Sequence, residues 1–151
     1  MRPTPFPLPD LGFEPIAPLW AAALEHVFRL PRCVACGTFD WYPQGECRQC
    51  RSADISWTDL SGRGALFSWS VVHRALYMPL APLGPYVSAI ITIAEDPSVR
   101  FVTRLIDTNP EELHSGMPVE VRFADLGYPG IETGVVAPFF SKAAHVAAEV
   151  K

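Results

Sequence analysis

All four cysteines of the chain fall between Cys33 and Cys50, in CVACGTFDWYPQGECRQC, as two C-x-x-C pairs. A C-x-x-C turn aims two sulfurs at one ion. Two such turns facing each other complete a tetrahedral thiolate shell around Zn²⁺, with Zn–S arms of about 2.3 Å. The stretch Gly37–Glu46 is long enough for a hairpin between the pairs, and Phe39, Trp41 and Tyr42 can cover it. Cys33, Cys36, Cys47 and Cys50 are therefore the expected ligands of a zinc ribbon. A site closed by four cysteines has no free coordination position, which zinc catalysis requires, so the expected metal is structural and supplies folding energy. The same ligands suit iron in a rubredoxin-like electron carrier. A redox dithiol needs only one pair.

A disulfide framework would suit a secreted chain. The proline-rich start, MRPTPFPLPD, has one arginine and no apolar h-region, and no stretch approaches the roughly 20 apolar residues of a membrane span. The expectation is a cytoplasmic protein without a membrane segment. About half of the 151 residues are apolar, enough for a real core, and the formal charge of −4 supplies no concentrated positive field for a nucleic-acid backbone.

Other candidate groups are sparser. His73 and Arg74 end an apolar strand and could meet an anion. The following loop, RALYMPLAPLGP, places Leu76, Tyr77, Met78, Leu80 and Leu83 where loops are usually polar, so it either folds over the core or marks a contact or ligand site. His26, on the helix near its apolar stripe, reads as a packed or partly exposed histidine, and His114 and His145 have no carboxylate or nucleophile at an informative spacing. No acid pair, Ser-His-Asp order or phosphate-binding glycine motif is present, and Ser61–Gly64 reads as a turn.

The elements that position these residues follow from periodicity. Residues 1–14 carry prolines at 3, 5, 7 and 9 and read as an extended arm. Residues 15–29 read as a helix with Pro18 in its first turn, an apolar face of Leu19, Trp20, Ala23, Leu24, Val27 and Phe28, and Pro31 as its stop. After the turn at Ser61–Gly64 the period becomes two, predicting strands over 65–73, 86–94, 99–106 and 119–124, with a last segment over Ile131–Ala137. In the first of these the core face is expected to hold Ala65, Phe67, Trp69 and Val71. Glu95–Ser98 reads as a hairpin loop and Asn109–Leu113 as a short helical turn capped by Asn109. Five short strands with one helical turn suit a five-stranded barrel. The predicted plan is mainly β: arm and helix over 1–30, ribbon over 31–58, barrel over 59–151. Aromatics on such a barrel, Trp57, Phe67 and Trp69, could stack bases, which makes single-stranded nucleic-acid binding one alternative reading.

In order along the chain, PLWAAAL, RLPRCVACGTFDWYPQGECRQC, WTDLSGRGALFSWSVVHR, GPYVSAIITIAE, GMPVEVRF and PFFSKA resemble the DUF35 family, stand-alone zinc-ribbon/OB-fold proteins of acyl-CoA metabolism. The resemblance covers nearly the whole chain. It implies an N-terminal helix, a rubredoxin-like ribbon and a C-terminal OB-fold barrel. It also implies a thiolase-like partner, or an aldolase or hydratase subunit, in a complex acting on acyl-CoA thioesters such as steroid side chains. The auxiliary chain would be non-catalytic, aid assembly and help form the acyl-CoA channel, in a two-plus-two heterotetramer. On this reading His73, Arg74, Tyr77 and Met78 would approach CoA or acyl group, and Leu19, Trp20, Phe39, Trp41, Phe139 and Phe140 would contact the partner. Arg48 and Arg51 depart from the proline and glycine frequent at those positions. A stand-alone acyl-CoA thioesterase is the remaining alternative.

Overall fold

Helix α1, Ala17–Leu24, buries Leu19, Ala22 and Ala23, an i, i+3, i+4 stripe, and takes Pro18 in its first turn as expected. The computed structural model that shows this describes residues 7–127 and 132–144; the predicted positions Ile131 and His145, and the first residues of the arm, lie outside them. The helix is shorter than the predicted 15–29. Val27 N–H donates to Ala22 O and His26 N–H to Ala23 O, with His26 at φ 59°. This is a Schellman closure with histidine in the left-handed position that glycine usually takes. It releases Phe28 into the core and lets strand β1 begin at Arg29. Pro31 is thus a buried strand residue, not a helix stop.

Strand β1 (Arg29–Cys33) pairs antiparallel with β2 (Ile55–Asp59), with Arg29 opposite Asp59 and Cys33 opposite Ile55. This two-stranded ribbon carries the first cysteine pair at its end.

Five further strands close a barrel: β3 (Arg63–Val72), β4 (Tyr86–Ile93), β5 (Phe101–Leu105), β6 (Pro118–Asp125) and β7 (Val136–Lys142), in the order β3-β4-β5-β7-β6. Closure depends on the short stretch where β3 pairs with β4 and β6 at once. Gly64 stands opposite both Ile93 and Val119, and a Cβ there would lie 2.0 Å from Thr92 O. Only glycine fits that wedge.

Val87, Ala89, Ile91 and Ile93 of β4 bury on one face, as the alternation predicts, and Phe101 and Leu105 do the same along β5, which is shorter than the predicted 99–106, with Val99 buried just before it. Asp96 receives the Ser98 N–H in the β4–β5 loop, and Asn109 Oδ1 receives the Glu111 N–H at 3.0 Å with Pro110 in the first position of its 3-10 turn.

Strand β3 departs from the predicted face. The register shifts between Leu66 and Ser68, so Phe67 forms a bulge. Leu66, before it, points inward and is fully buried. Trp69 and Val71, after it, stand opposite the inward-facing Ala89 and Val87. Phe67 is 48% exposed, with the Arg100 guanidinium 4.0 Å over its ring. Trp69 is exposed too, because β3 has no partner on its second side beyond Leu66, which bonds Gly116 and Met117.

The last strand also differs. It runs through Pro138-Phe139-Phe140 instead of ending at Ala137, and it buries nearly every residue because β5 and β6 flank it and α1 packs on it. Leu19, Phe39, Phe139 and Phe140 are therefore core residues, 0 to 7% exposed, and offer no surface to a partner in this conformation. Their hydrophobicity was legible, but its side of the surface was not.

A candidate metal centre and the surfaces around it

The four Sγ atoms lie within 4.8 Å of one another, with Cys33–Cys50 and Cys36–Cys47 each at 3.6 Å, and none forms a disulfide. A tetrahedron with arms of about 2.3 Å has edges of about 3.8 Å. The sulfurs thus stand where a tetrahedral ion would hold them. Among the described residues this is the only group of three or more His, Cys, Asp or Glu side chains close enough to share an ion.

Two knuckles with the same backbone pattern build the site. In the first, Gly37 N–H donates to Cys33 O and Cys33 N–H to Thr38 O. In the second, Arg51 N–H donates to Cys47 O and Cys47 N–H to Ser52 O. Cys33 and Cys47 are buried, Cys36 and Cys50 exposed.

The electrostatics ask for a cation. Thr38 hydrogen bonding brings the Cys36 thiol down to about 6. At Cys50 the Ser52 N–H pulls down, but Cys33, burial and the other two sulfurs outweigh it and push the thiol up to about 12. Four packed sulfurs cannot all ionise without a positive charge among them. Zinc supplies that charge and holds the knuckles together; with all four positions taken by cysteine, it has no place for substrate. The donor set and spacing fit a structural Zn²⁺ ribbon.

Arg48 stabilises the hairpin from outside. Its Nε donates to Asp40 and its Nη2 to Trp41 O at 2.8 Å. The Asp40 carboxyl is 4% exposed, so Arg48 is the counter-charge of a buried acid. A proline could not play that part.

The other predicted residues are dispersed. His73 and Arg74 are exposed just past β3. Leu76, Tyr77 and Met78 follow, Leu76 at 95% exposure, while Leu80 and Leu83 of the 3-10 helix Met78–Leu83 are half-buried. The second half of the loop folds on the barrel, as one of the two readings from sequence expects, and its first half stands in solvent. Trp20 and Trp41 are half-buried. They line a groove of about 270 Å³ with Phe101, Arg104 and Phe139. Arg104 carried no signal in the sequence beyond being the polar residue of an alternating strand.

Residues 20–56 match the family model described as the rubredoxin-like zinc ribbon domain of ChsH2, and residues 57–124 match its C-terminal OB-fold domain. Over 107 residues the chain is 36% identical to a DUF35 domain-containing scaffold protein of Methanocaldococcus jannaschii, covering 70% of this chain and 72% of that protein. It is 32% identical over 106 residues to the 3-oxo-4,17-pregnadiene-20-carboxyl-CoA hydratase alpha subunit of Mycobacterium tuberculosis, but spans only 32% of that subunit. A chain of the solved Ltp2-ChsH2(DUF35) aldolase superposes with a TM-score of 0.74 at 26% identity, over 91% of this chain and 99% of that one. With its ribbon, its barrel and these likenesses in place, the chain belongs to the DUF35 family of zinc-ribbon/OB-fold proteins.

Proposed function

We propose that the protein is a non-catalytic auxiliary subunit of an acyl-CoA-processing complex, whose partner is a thiolase-like, aldolase or hydratase subunit that holds the reacting groups. The observation that carries this reading is the pairing of a closed four-cysteine centre with the exposed apolar run Leu76-Tyr77-Met78. The first does no chemistry on substrate, and the second is a surface in want of a cover. Two similar proteins point the same way by name, one an aldolase assembly and one the alpha subunit of a CoA-ester hydratase. On this reading residues 1–30, 31–58 and 59–151 act as arm with helix, ribbon and barrel, in a cytoplasmic two-plus-two assembly. His73, Arg74, Tyr77 and Met78 approach the shared acyl-CoA site at the partner's mouth. A steroid or other lipid acyl group is the substrate class these names suggest.

The exposed Phe67 under Arg100 favours the rival, a single-stranded nucleic-acid platform of stacked base and cation. The net charge of −4 opposes it.

One experiment separates them. Tagged protein is recovered gently from its native cells and what co-elutes is identified by mass spectrometry. Recovery of a thiolase-like, aldolase or hydratase subunit in near-equal amount supports the auxiliary role. Recovery of the chain alone, or with nucleic acid, removes it.

A further inference from the structure

The groove beneath α1 has a feature that the auxiliary role does not use. Among the arginines of the described residues, Arg29, Arg48, Arg51 and Arg122 pair with carboxylates, and Arg32 and Arg100 donate to backbone carbonyls. Arg63 and Arg74 sit in water. Arg104 alone is half-buried with a guanidinium that makes no ion pair or hydrogen bond to another described residue. Its guanidinium lies 4.4 Å over the Phe139 ring, in the wall of the groove. Burial lowers its pKa, with Tyr86 opposing. Asp107 lines the cavity on the other side of Arg104 without forming an ion pair with it. Trp20 lines the same groove. The Trp20 indole N–H is the one buried side-chain polar atom among the described residues that lacks a partner. The rest of the lining is nearly all apolar, with the half-buried Trp41 ring at its surface and the buried Phe101 and Phe139 beneath.

An arginine and an indole N–H are both pure donors. A guanidinium half-buried in an apolar wall without an anion costs free energy, which an acceptor-rich anion would return. The guanidinium fork matches two oxygens of one carboxylate. At about 270 Å³ the groove lies at or below the small end of ligand sites, the size for a ring system and too small for a whole coenzyme. We propose that this groove binds a small carboxylate on an apolar ring body, with the carboxylate received by Arg104 and the ring against Trp20 and Trp41. The site belongs to the isolated chain and does not depend on any partner.

The test uses the full zinc-loaded chain without partner. 2-Naphthoate is titrated by calorimetry, with the Trp20 indole N–H followed by NMR after assignment by Trp20→Phe. Saturable one-to-one binding with movement of the Trp20 signal is expected. Arg104→Gln, verified as folded by its zinc content and melting, should weaken it by about tenfold or more, the loss of one charge-assisted pair. The neutral isostere 2-naphthamide should lose as much on the unaltered chain. Arg104→Lys, which keeps the charge, should retain more affinity than Arg104→Gln. Failure to saturate, equal binding to Arg104→Gln, or equal losses in the Gln and Lys variants overturns the proposal. Coenzyme A that binds through Arg104 when naphthoate does not would also overturn it, in favour of a phosphate site. None of these outcomes bears on the recovery of a partner, so the two readings fail separately.

Discussion

Arg51 adopts φ 64° at the turn of the second knuckle, where the first knuckle has Gly37 at φ 77°. The two positions make the same backbone bond, to Cys47 O and Cys33 O. A non-glycine residue there costs roughly 1–2 kcal/mol of backbone strain. The Arg51–Glu46 pair at 2.7 Å offsets little, because both side chains are in water. Arg51→Gly should therefore stabilise the ribbon by about 1 kcal/mol and raise Tm by about 3 °C. Calorimetric melting of the zinc-loaded variant checks this, and a lowered Tm would show that Arg51 makes a contact worth more than its strain. The ligands were legible as spacing, and the departures at 48 and 51 only through the family resemblance. The role of Arg48 was not, because its bonds to Asp40 and Trp41 cross a hairpin whose folding no local pattern records. Arg104 was hidden for the same reason: its isolation depends on what the strands beside it fail to provide.

At the scale of elements, the connection from β6 to β7 is tied by one carboxylate. Asp125 receives the N–H of Gly127, Thr133 and Gly134 at 2.7 to 2.9 Å and the Thr133 hydroxyl at 3.0 Å. Burial pushes its pKa up, but these donors outweigh it and hold the carboxyl below its ordinary value. A folded-state pKa below the unfolded one means stability that is present above the unfolded value, about 3.9, and lost as pH falls through the folded value. Asp125→Asn should thus be less stable by about 1 kcal/mol at neutral pH, a figure kept low because the carboxylate is near water. The gap should narrow as pH drops below about 4. Urea midpoints of both proteins across that range decide it, and a gap independent of pH would mean that the charge is not what ties the loop. Strand alternation predicted β4, β5 and the inner face of β6 well, since each keeps a strict period. It failed at β3, where the Phe67 bulge reverses the faces midway, and at the helix end, where a histidine accepts a glycine's geometry. Neither event has a sequence signal as plain as a proline.

At the scale of the whole molecule, ribbon, helix and barrel share one core. Phe28 packs edge-on against Phe101 at 5.1 Å and Phe140 at 5.5 Å, and Trp41 meets Phe101 at 5.0 Å. Leu19, Leu30 and Phe39 belong to the same buried cluster as Leu66, Ile91 and Met117 of the barrel side. The order of helix, ribbon and barrel was legible in the sequence. This fusion was not, because periodicity tells which face of a strand is apolar but not which neighbour covers it. The fusion has a thermodynamic consequence. If the ribbon were an appendage, stripping its zinc would unfold it alone and leave the barrel's melting unchanged. Because Phe28, Leu30 and Phe39 lie against barrel residues, loss of the metal should expose part of the barrel core as well. Removal of zinc by a chelator should then lower one cooperative transition by about 10 °C or more, the loss of a few kcal/mol of metal-linked stability. Calorimetry can be read beside the near-ultraviolet signal of the aromatic cluster, and the two should move together. Two separate transitions, with the upper one unmoved by the chelator, would show that ribbon and barrel are energetically independent despite their packing.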